Sequence, residues 1–203
     1  MNPIKCDGNE IYPSKIVCIG LNYADHIKEF AHGVFEDPVV FMKPNSAISN
    51  DVYSNDKDII HYEAEISFMV SGGQLKAVSF GLDLTRRELQ YKLMEKGWPW
   101  ERAKAFDGAA VFSEFVSFDG DIGALRMEFY INGVLTQFGD YDLMLTKPKQ
   151  MLDEVRSFVS LEDGDVLMTG TPQGVGPVNA GDEYRGKIFE GDRLIVEGIW
   201  VVK

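Results

Sequence analysis

Residues 61–70, HYEAEISFMV, set Glu63 and Glu65 two positions apart in a run that otherwise reads as a buried strand. Alternate residues of a strand share a face. The two carboxylates therefore stand side by side, next to Ile66, Phe68, Met69 and Val70. Like charges so placed repel each other, and burial raises the cost. A chain with this segment must either leave that strand face in water or bring a cation to it. A divalent cation would use the oxygens: Mg²⁺ is held by carboxylates and keeps waters for exchange, and Mn²⁺ accepts similar ligands. Asp83 lies twenty positions beyond Glu63, at the end of a second strand-like run. It would complete a three-carboxylate face with open positions.

The rest of the chain reads as many strands and a few short helices. KIVCIG (15–20) and PVVFMK (38–43) are short apolar strands. Between them, GLNYADHIKEFAHGVFED reads as a turn, a short helix and a loop. In GLDLTRRELQYKLMEKGWP (81–99), Thr85 and Glu88 have capping-box spacing, which predicts a helix starting after Thr85. Gly97 and Pro99 supply its stop. MEFYINGVLTQF (127–138) reads as a hairpin about Asn132-Gly133. Met151, Leu152, Val155, Phe158 and Val159 follow the period of a second helix. VLMTGTPQGVG and RLIVEGIWVV are strand-like. The pattern predicts a mostly β, α+β domain built as a roll or distorted sandwich.

Bulk properties exclude some functions. The net charge of −12 opposes nucleic acid as a partner and equally an anionic membrane. No apolar stretch approaches the ~20 residues of a membrane span, and MNPIKCDGNEIYP is too polar for a signal peptide. Cys6 and Cys18 make no disulfide framework and read as free thiols of a cytoplasmic protein.

Further residues could complete a site. Arg87, on the first helical turn after Asp83, with Gln90 on the same side and Lys104 beyond, would suit an anionic, oxygen-rich ligand. Equally, such cations can be ordinary surface charges. His26 and Glu29, three apart in NYADHIKEF, share a helix face. A carboxylate can orient an imidazole, which takes a proton near neutral pH; a solvated surface pair has the same spacing. His61 could support a metal ligand from behind. In TGTPQGVGP (169–177), small residues allow backbone to approach a ligand, and Thr169 and Thr171 could donate to a carboxylate. The stretch is neither a P-loop nor a dinucleotide fingerprint.

Taken together, KIVCIGLNYADHIKE, PVVFMKPNSA, HYEAEIS, LDLTRRELQ, PWERAKAFDGAA and LMTGTPQGVGPV, in that order from Lys15 to Val178, resemble the fumarylacetoacetate hydrolase family in its short acylpyruvase-like branch. The resemblance implies one catalytic domain over residues 1–203, a mixed β-roll or sandwich, and a homodimer. It implies Mg²⁺ or Mn²⁺ on Glu63, Glu65 and Asp83. It places His26 and Glu29 on a mobile segment that orders over the substrate and activates water. Lys104 would stabilise developing charge, and Arg87, Gln90 and Thr171 would line the substrate pocket. Two features depart from the family pattern. The stretch containing QLKAVS is short, as if a helix were trimmed, and Leu21 precedes Asn22 where some relatives carry arginine.

The activity so implied is hydrolysis of a small 2,4-dioxo acid, such as fumarylpyruvate or acetylpyruvate. The C3–C4 bond breaks to give pyruvate and a carboxylic acid, through an enolate. The same enolate-stabilising site could decarboxylate oxaloacetate, which needs no attacking water. It could also interconvert keto and enol forms, which needs only proton transfer. A metal-binding or small-molecule-binding protein on this fold is the non-enzymatic alternative.

Overall fold

The acidic segment folds as a strand buried on both sides. Every residue from Ala64 to Val70 is buried. Ala64–Ser71 pairs antiparallel with Gln74–Asp83 through the turn at Gly72-Gly73. The QLKAVS stretch is thus part of a long strand, and a tight hairpin stands where a helix appeared to be trimmed. The computed structural model describes residues 1–30, 38–55 and 58–203, except the side chains of Glu29 and Phe30.

This hairpin is the middle of a mixed eight-stranded sheet. On one side run Val166–Met168, Lys15–Gly20 and Val39–Pro44; on the other run Ala110–Phe112 and Ile48–Ser49, with Val116–Ser117 pairing the lower part of the 74–83 strand. A second, four-stranded antiparallel sheet carries Val134–Asp140, Leu125–Ile131, Glu183–Glu190 and Arg193–Val201 in that spatial order. The expected hairpin at Asn132-Gly133 is present.

The two sheets pack face to face. From the hairpin, Ala64, Ile66, Phe68, Val78, Phe80 and Leu82 enter the shared core; from the second sheet come Met127, Phe129, Tyr184, Ile188 and Val196. Aromatic rings centre this layer: Phe80 stacks on Phe129 at 5.6 Å, and Tyr184 meets Phe129 edge-on at 5.0 Å. The period of two then sends Glu65, Ser67, Ser79, Gly81 and Asp83 to the opposite face of the hairpin. Apolar burial on one face therefore fixes where the acidic residues must point.

Three helices flank that acidic face. Ala24–Phe30 carries His26. Arg87–Glu95 turns Arg87, Gln90 and Leu93, spaced three apart, inward. Glu101–Lys104 is a single turn ending on buried Lys104. The middle helix ends as expected: Gly97 adopts φ +63°, its N–H donates to the Met94 carbonyl, and Trp98 N–H donates to the Leu93 carbonyl, the double closure of a helix C-terminus.

Two local expectations are corrected. Thr85 does not cap that helix. Thr85–Arg86 forms a two-residue strand against Ile60–Tyr62, the helix begins at Arg87 without a side-chain cap, and the Thr85 hydroxyl is held by Lys104. The helix near 151–159 starts earlier, at Pro148, and ends at Arg156, leaving Phe158 exposed beyond it. Cys6 and Cys18 are buried free thiols. Among the described residues no helix is long and apolar enough to cross a membrane.

Candidate active site

Glu63, Glu65 and Asp83 converge as the spacing suggested. Glu63 lies just before the 64–71 strand, Glu65 within it, and Asp83 at the end of the neighbouring strand, where Asp83 N–H donates to the Glu63 carbonyl at 2.9 Å. One carboxylate oxygen from each lies within 4.8 Å of the others, and all three residues are buried. Gly81, which pairs with Glu65 across the hairpin, and serines 67 and 79 keep this face free of bulk.

Buried cations surround the cluster. The Lys104 ammonium contacts Glu63 at 2.8 Å and Asp83 at 2.7 Å, and donates to the Thr85 hydroxyl at 2.7 Å. The Arg87 guanidinium pairs with Glu63 and donates to Gln90 Oε1 at 2.8 Å. The fully buried Lys43 ammonium lies 2.7 Å from Asp83 and also donates to the Lys104 carbonyl. Sequence reasoning missed Lys43. The signal was available, since it stands two residues after Phe41, on the inward face of an apolar strand.

Charge is unevenly shared. Burial pushes the Glu63 carboxyl up, but Lys104 and Arg87 outweigh it and hold the group well below its usual range. Glu65 goes the other way: burial, then the charges of Asp83 and Glu63, push it well above the usual range against the Gly170 N–H that it accepts. For Lys104, burial lowers the ammonium pKa, but Asp83 and Glu63 raise it further, so the net shift is upward.

Among the described residues no cation pairs with Glu65. It accepts from Gly170 N–H at 2.8 Å. A buried carboxylate without a counter-ion, converging with two others, is what a hard divalent cation would complete. Glu63, Glu65 and Asp83 therefore fit Mg²⁺ or Mn²⁺ as an all-oxygen donor set.

His26, Arg87, Gln90, Lys104, Trp100 and Glu63 line a small, half-open cleft beside the carboxylates. Thus His26, Arg87, Gln90 and Lys104 come together as the sequence suggested. The Glu29 side chain and His32 lie outside the described residues. His61 is half-buried behind Glu63, and burial, with Arg87 nearby, lowers its imidazole pKa.

The small-residue loop reaches the Glu65 edge of the cluster, by a different route than its threonines suggested. The Thr169 hydroxyl donates to the Ile66 carbonyl at 2.8 Å and is spent on the backbone. The carboxylate contact comes from Gly170 N–H instead. Thr171 accepts from Gln137 Nε2 at 2.9 Å. Gly170 has φ +91°, and a Cβ there would meet the Ile19 carbonyl at 2.8 Å and Asn22 Cβ at 2.9 Å. Gly170→Ala should lose about 1–3 kcal/mol from backbone conformation alone, with the clash added. Urea denaturation of the variant checks this, and a midpoint equal to the parent's would refute it.

The profile of the fumarylacetoacetate (FAA) hydrolase C-terminal domain matches residues 15–199. The chain belongs to the fumarylacetoacetate hydrolase family. Within it, the chain is 37% identical over 202 residues to the oxaloacetate tautomerase YcgM of Escherichia coli, covering 90% of this chain and 92% of that protein. It is 34% identical over 194 residues to the human mitochondrial oxaloacetate tautomerase FAHD1, covering 85% and 86% respectively. Its fold matches the crystal structure of fumarylpyruvate hydrolase from Pseudomonas aeruginosa in complex with Mn²⁺ and pyruvate. That match has a TM-score of 0.87 at 26% identity, over 100% of this chain and 96% of that one. At the family level this is an enzyme. The relatives named for oxaloacetate tautomerisation favour the keto–enol alternative over acylpyruvate hydrolysis, which the motifs had put first.

Proposed function

We propose that this protein interconverts the enol and keto forms of a dianionic 2-oxo acid, with oxaloacetate as the first candidate. The observation that carries the reading is the joint placement of His26 and the Lys104 ammonium on one small cleft, with Lys104 bound to Glu63 and Asp83. The similarity to the two named tautomerases supports the choice of reaction.

Glu63, Glu65 and Asp83 would hold Mg²⁺ or Mn²⁺, which when bound supplies Lewis acidity toward the substrate's oxygens. The chain's own groups do the rest. Three buried carboxylates face three buried cations, Lys43, Arg87 and Lys104. That balance leaves a divalent ion uncompensated until a dianion arrives. Arg87, held by Gln90, and Thr171 bind carboxylate oxygens. In tautomerisation the enol hydroxyl on C2 loses its proton, the C2–O bond becomes a carbonyl, and C3 gains a proton. His26 takes the hydroxyl proton and returns it to C3. Lys104, held in its charged form, stabilises the enolate oxygen as charge develops.

Fumarylpyruvate-type hydrolysis is the second reading, supported by the structural match to that hydrolase. The test follows absorbance for enol-oxaloacetate, fumarylpyruvate and acetylpyruvate, each with Mg²⁺, Mn²⁺ and chelator, for the parent and His26→Asn. The expected result is metal-dependent conversion of enol-oxaloacetate that falls in the variant. Enol decay at the buffer rate, with cleavage of an acylpyruvate, would replace the first reading with the second. Saturable Mn²⁺ binding with no turnover of any of them would overturn both.

A further inference from the structure

Gln137 has no place in the chemistry above, yet its side chain joins the two halves of the site. It sits in the strand Val134–Asp140 of the second sheet, 1% exposed. Its Oε1 accepts from Ala64 N–H at 3.0 Å, and Ala64 is the residue between Glu63 and Glu65. Its Nε2 donates to the Thr171 hydroxyl and to the Pro172 carbonyl, both at 2.9 Å. The amide can stand only this way round. Reversed, its NH₂ would face the Ala64 N–H, and its oxygen would face the Pro172 carbonyl.

The consequence falls on Thr171. Its oxygen is occupied as an acceptor, so its hydrogen must go elsewhere. The nearest internal acceptor, the Pro172 carbonyl, is 3.5 Å away, beyond the ordinary range of an O–H···O bond. Among the described residues that long contact is the only one the Thr171 hydroxyl makes as a donor, on the loop whose preceding residue holds Glu65. A carboxylate is the acceptor such a donor suits.

We infer that Gln137 is a positioning residue: one buried amide registers the Glu63–Glu65 segment against the small-residue loop and turns the Thr171 hydroxyl into a dedicated donor for a substrate carboxylate. This rests on the proposed reading that a 2-oxo acid binds here. It goes beyond that reading by placing the control of substrate affinity in a residue that touches neither substrate nor metal. An amide that merely filled a buried gap would affect folding stability but not couple to Thr171.

The experiment is a double-mutant cycle on Mn²⁺-loaded protein, with oxalate as the carboxylate probe. Titration calorimetry gives its affinity for the parent, Gln137→Met, Thr171→Val and the double variant; kcat and KM for enol-oxaloacetate are read alongside. A hydrogen bond to a charged group predicts that each single variant loses roughly tenfold to a hundredfold in oxalate affinity. The double variant should lose no more than the worse single one, because the two changes remove one interaction. KM should move more than kcat, and Thr171→Ser, which keeps the hydroxyl, should retain the oxalate affinity that Thr171→Val loses. Oxalate affinity unchanged in Gln137→Met, or losses that multiply in the double variant, would overturn the inference. If Gln137→Met does not fold by circular dichroism, Gln137→Glu takes its place, since it keeps the acceptor for Ala64 and lacks both donors. A parent that binds oxalate but does not tautomerise would sink the proposed reaction and leave this cycle valid. A parent that binds no oxalate would sink both.

Discussion

Glu65→Gln should lose divalent-cation binding and still give a metal-free protein more stable than the parent at neutral pH. Burial, then the charges of Asp83 and Glu63, push the Glu65 carboxyl well above its usual value of 4.5. In the metal-free parent the folded state therefore keeps a proton that the unfolded chain has released. Stability falls as pH rises from about 4.5 toward the folded-state pKa. Gln carries no such charge, and its side-chain oxygen can still accept from Gly170 N–H. The variant should lack this part of the pH dependence and melt higher without metal. Adding Mn²⁺ should raise the parent's Tm and leave the variant's almost unmoved. Turnover should drop by about 10³-fold or more, since several kcal/mol of charge stabilisation depend on the ion. Thermal melts from pH 4 to 8, with Mn²⁺ and with chelator, decide the matter. A parent whose metal-free stability does not fall relative to that of Glu65→Gln over that range would contradict the assigned strain at Glu65.

Lys104→Met should act in the opposite sense on metal-free stability and on metal affinity. Its ammonium is shared by Glu63 and Asp83 in a site that is almost wholly buried. Removing one partner of a buried pair costs about 3–5 kcal/mol, because the remaining charges lose their compensation. The metal-free variant should therefore unfold at lower urea. The same change makes the cluster more negative, so Mn²⁺ affinity without substrate should rise. Turnover should fall by about 10²–10³-fold, the usual cost of losing one preorganised donor at a developing oxyanion. The combination is diagnostic: tighter metal binding with slower chemistry separates a charge-stabilising role from a metal-holding one. Weaker Mn²⁺ binding in Lys104→Met would reject that assignment, and parental kcat would reject a role in the reaction.

Much of the site's framework was legible in the chain. The spacing of Glu63 and Glu65 puts both on one strand face whatever surrounds them, because side chains alternate with a period of two. The apolar residues between and after them then require that face to be the one away from the core. Asn132-Gly133 marked its hairpin and Gly97 its helix end, because those backbone conformations select the residue locally. His26, Arg87, Gln90 and Lys104 could be named as candidates from motif order, but the same spacing fits solvated surface side chains.

What decided between those readings is long-range. Lys104 is buried against strand ends 41 and 21 positions away in sequence, and that contact turns Thr85 from an expected helix cap into a partner of the ammonium. Lys43 meets Asp83 because the pair Lys15–Gly20 and Val39–Pro44 is carried, through Val166–Met168, alongside the acidic hairpin. Gly170 meets Glu65 across 105 positions, and Gln137 meets Ala64 across 73. Local periodicity determines which way a side chain points from its own backbone. Whether that direction ends in water or on a buried carboxylate depends on which distant strands pair, and this is settled by the packing of the two sheets.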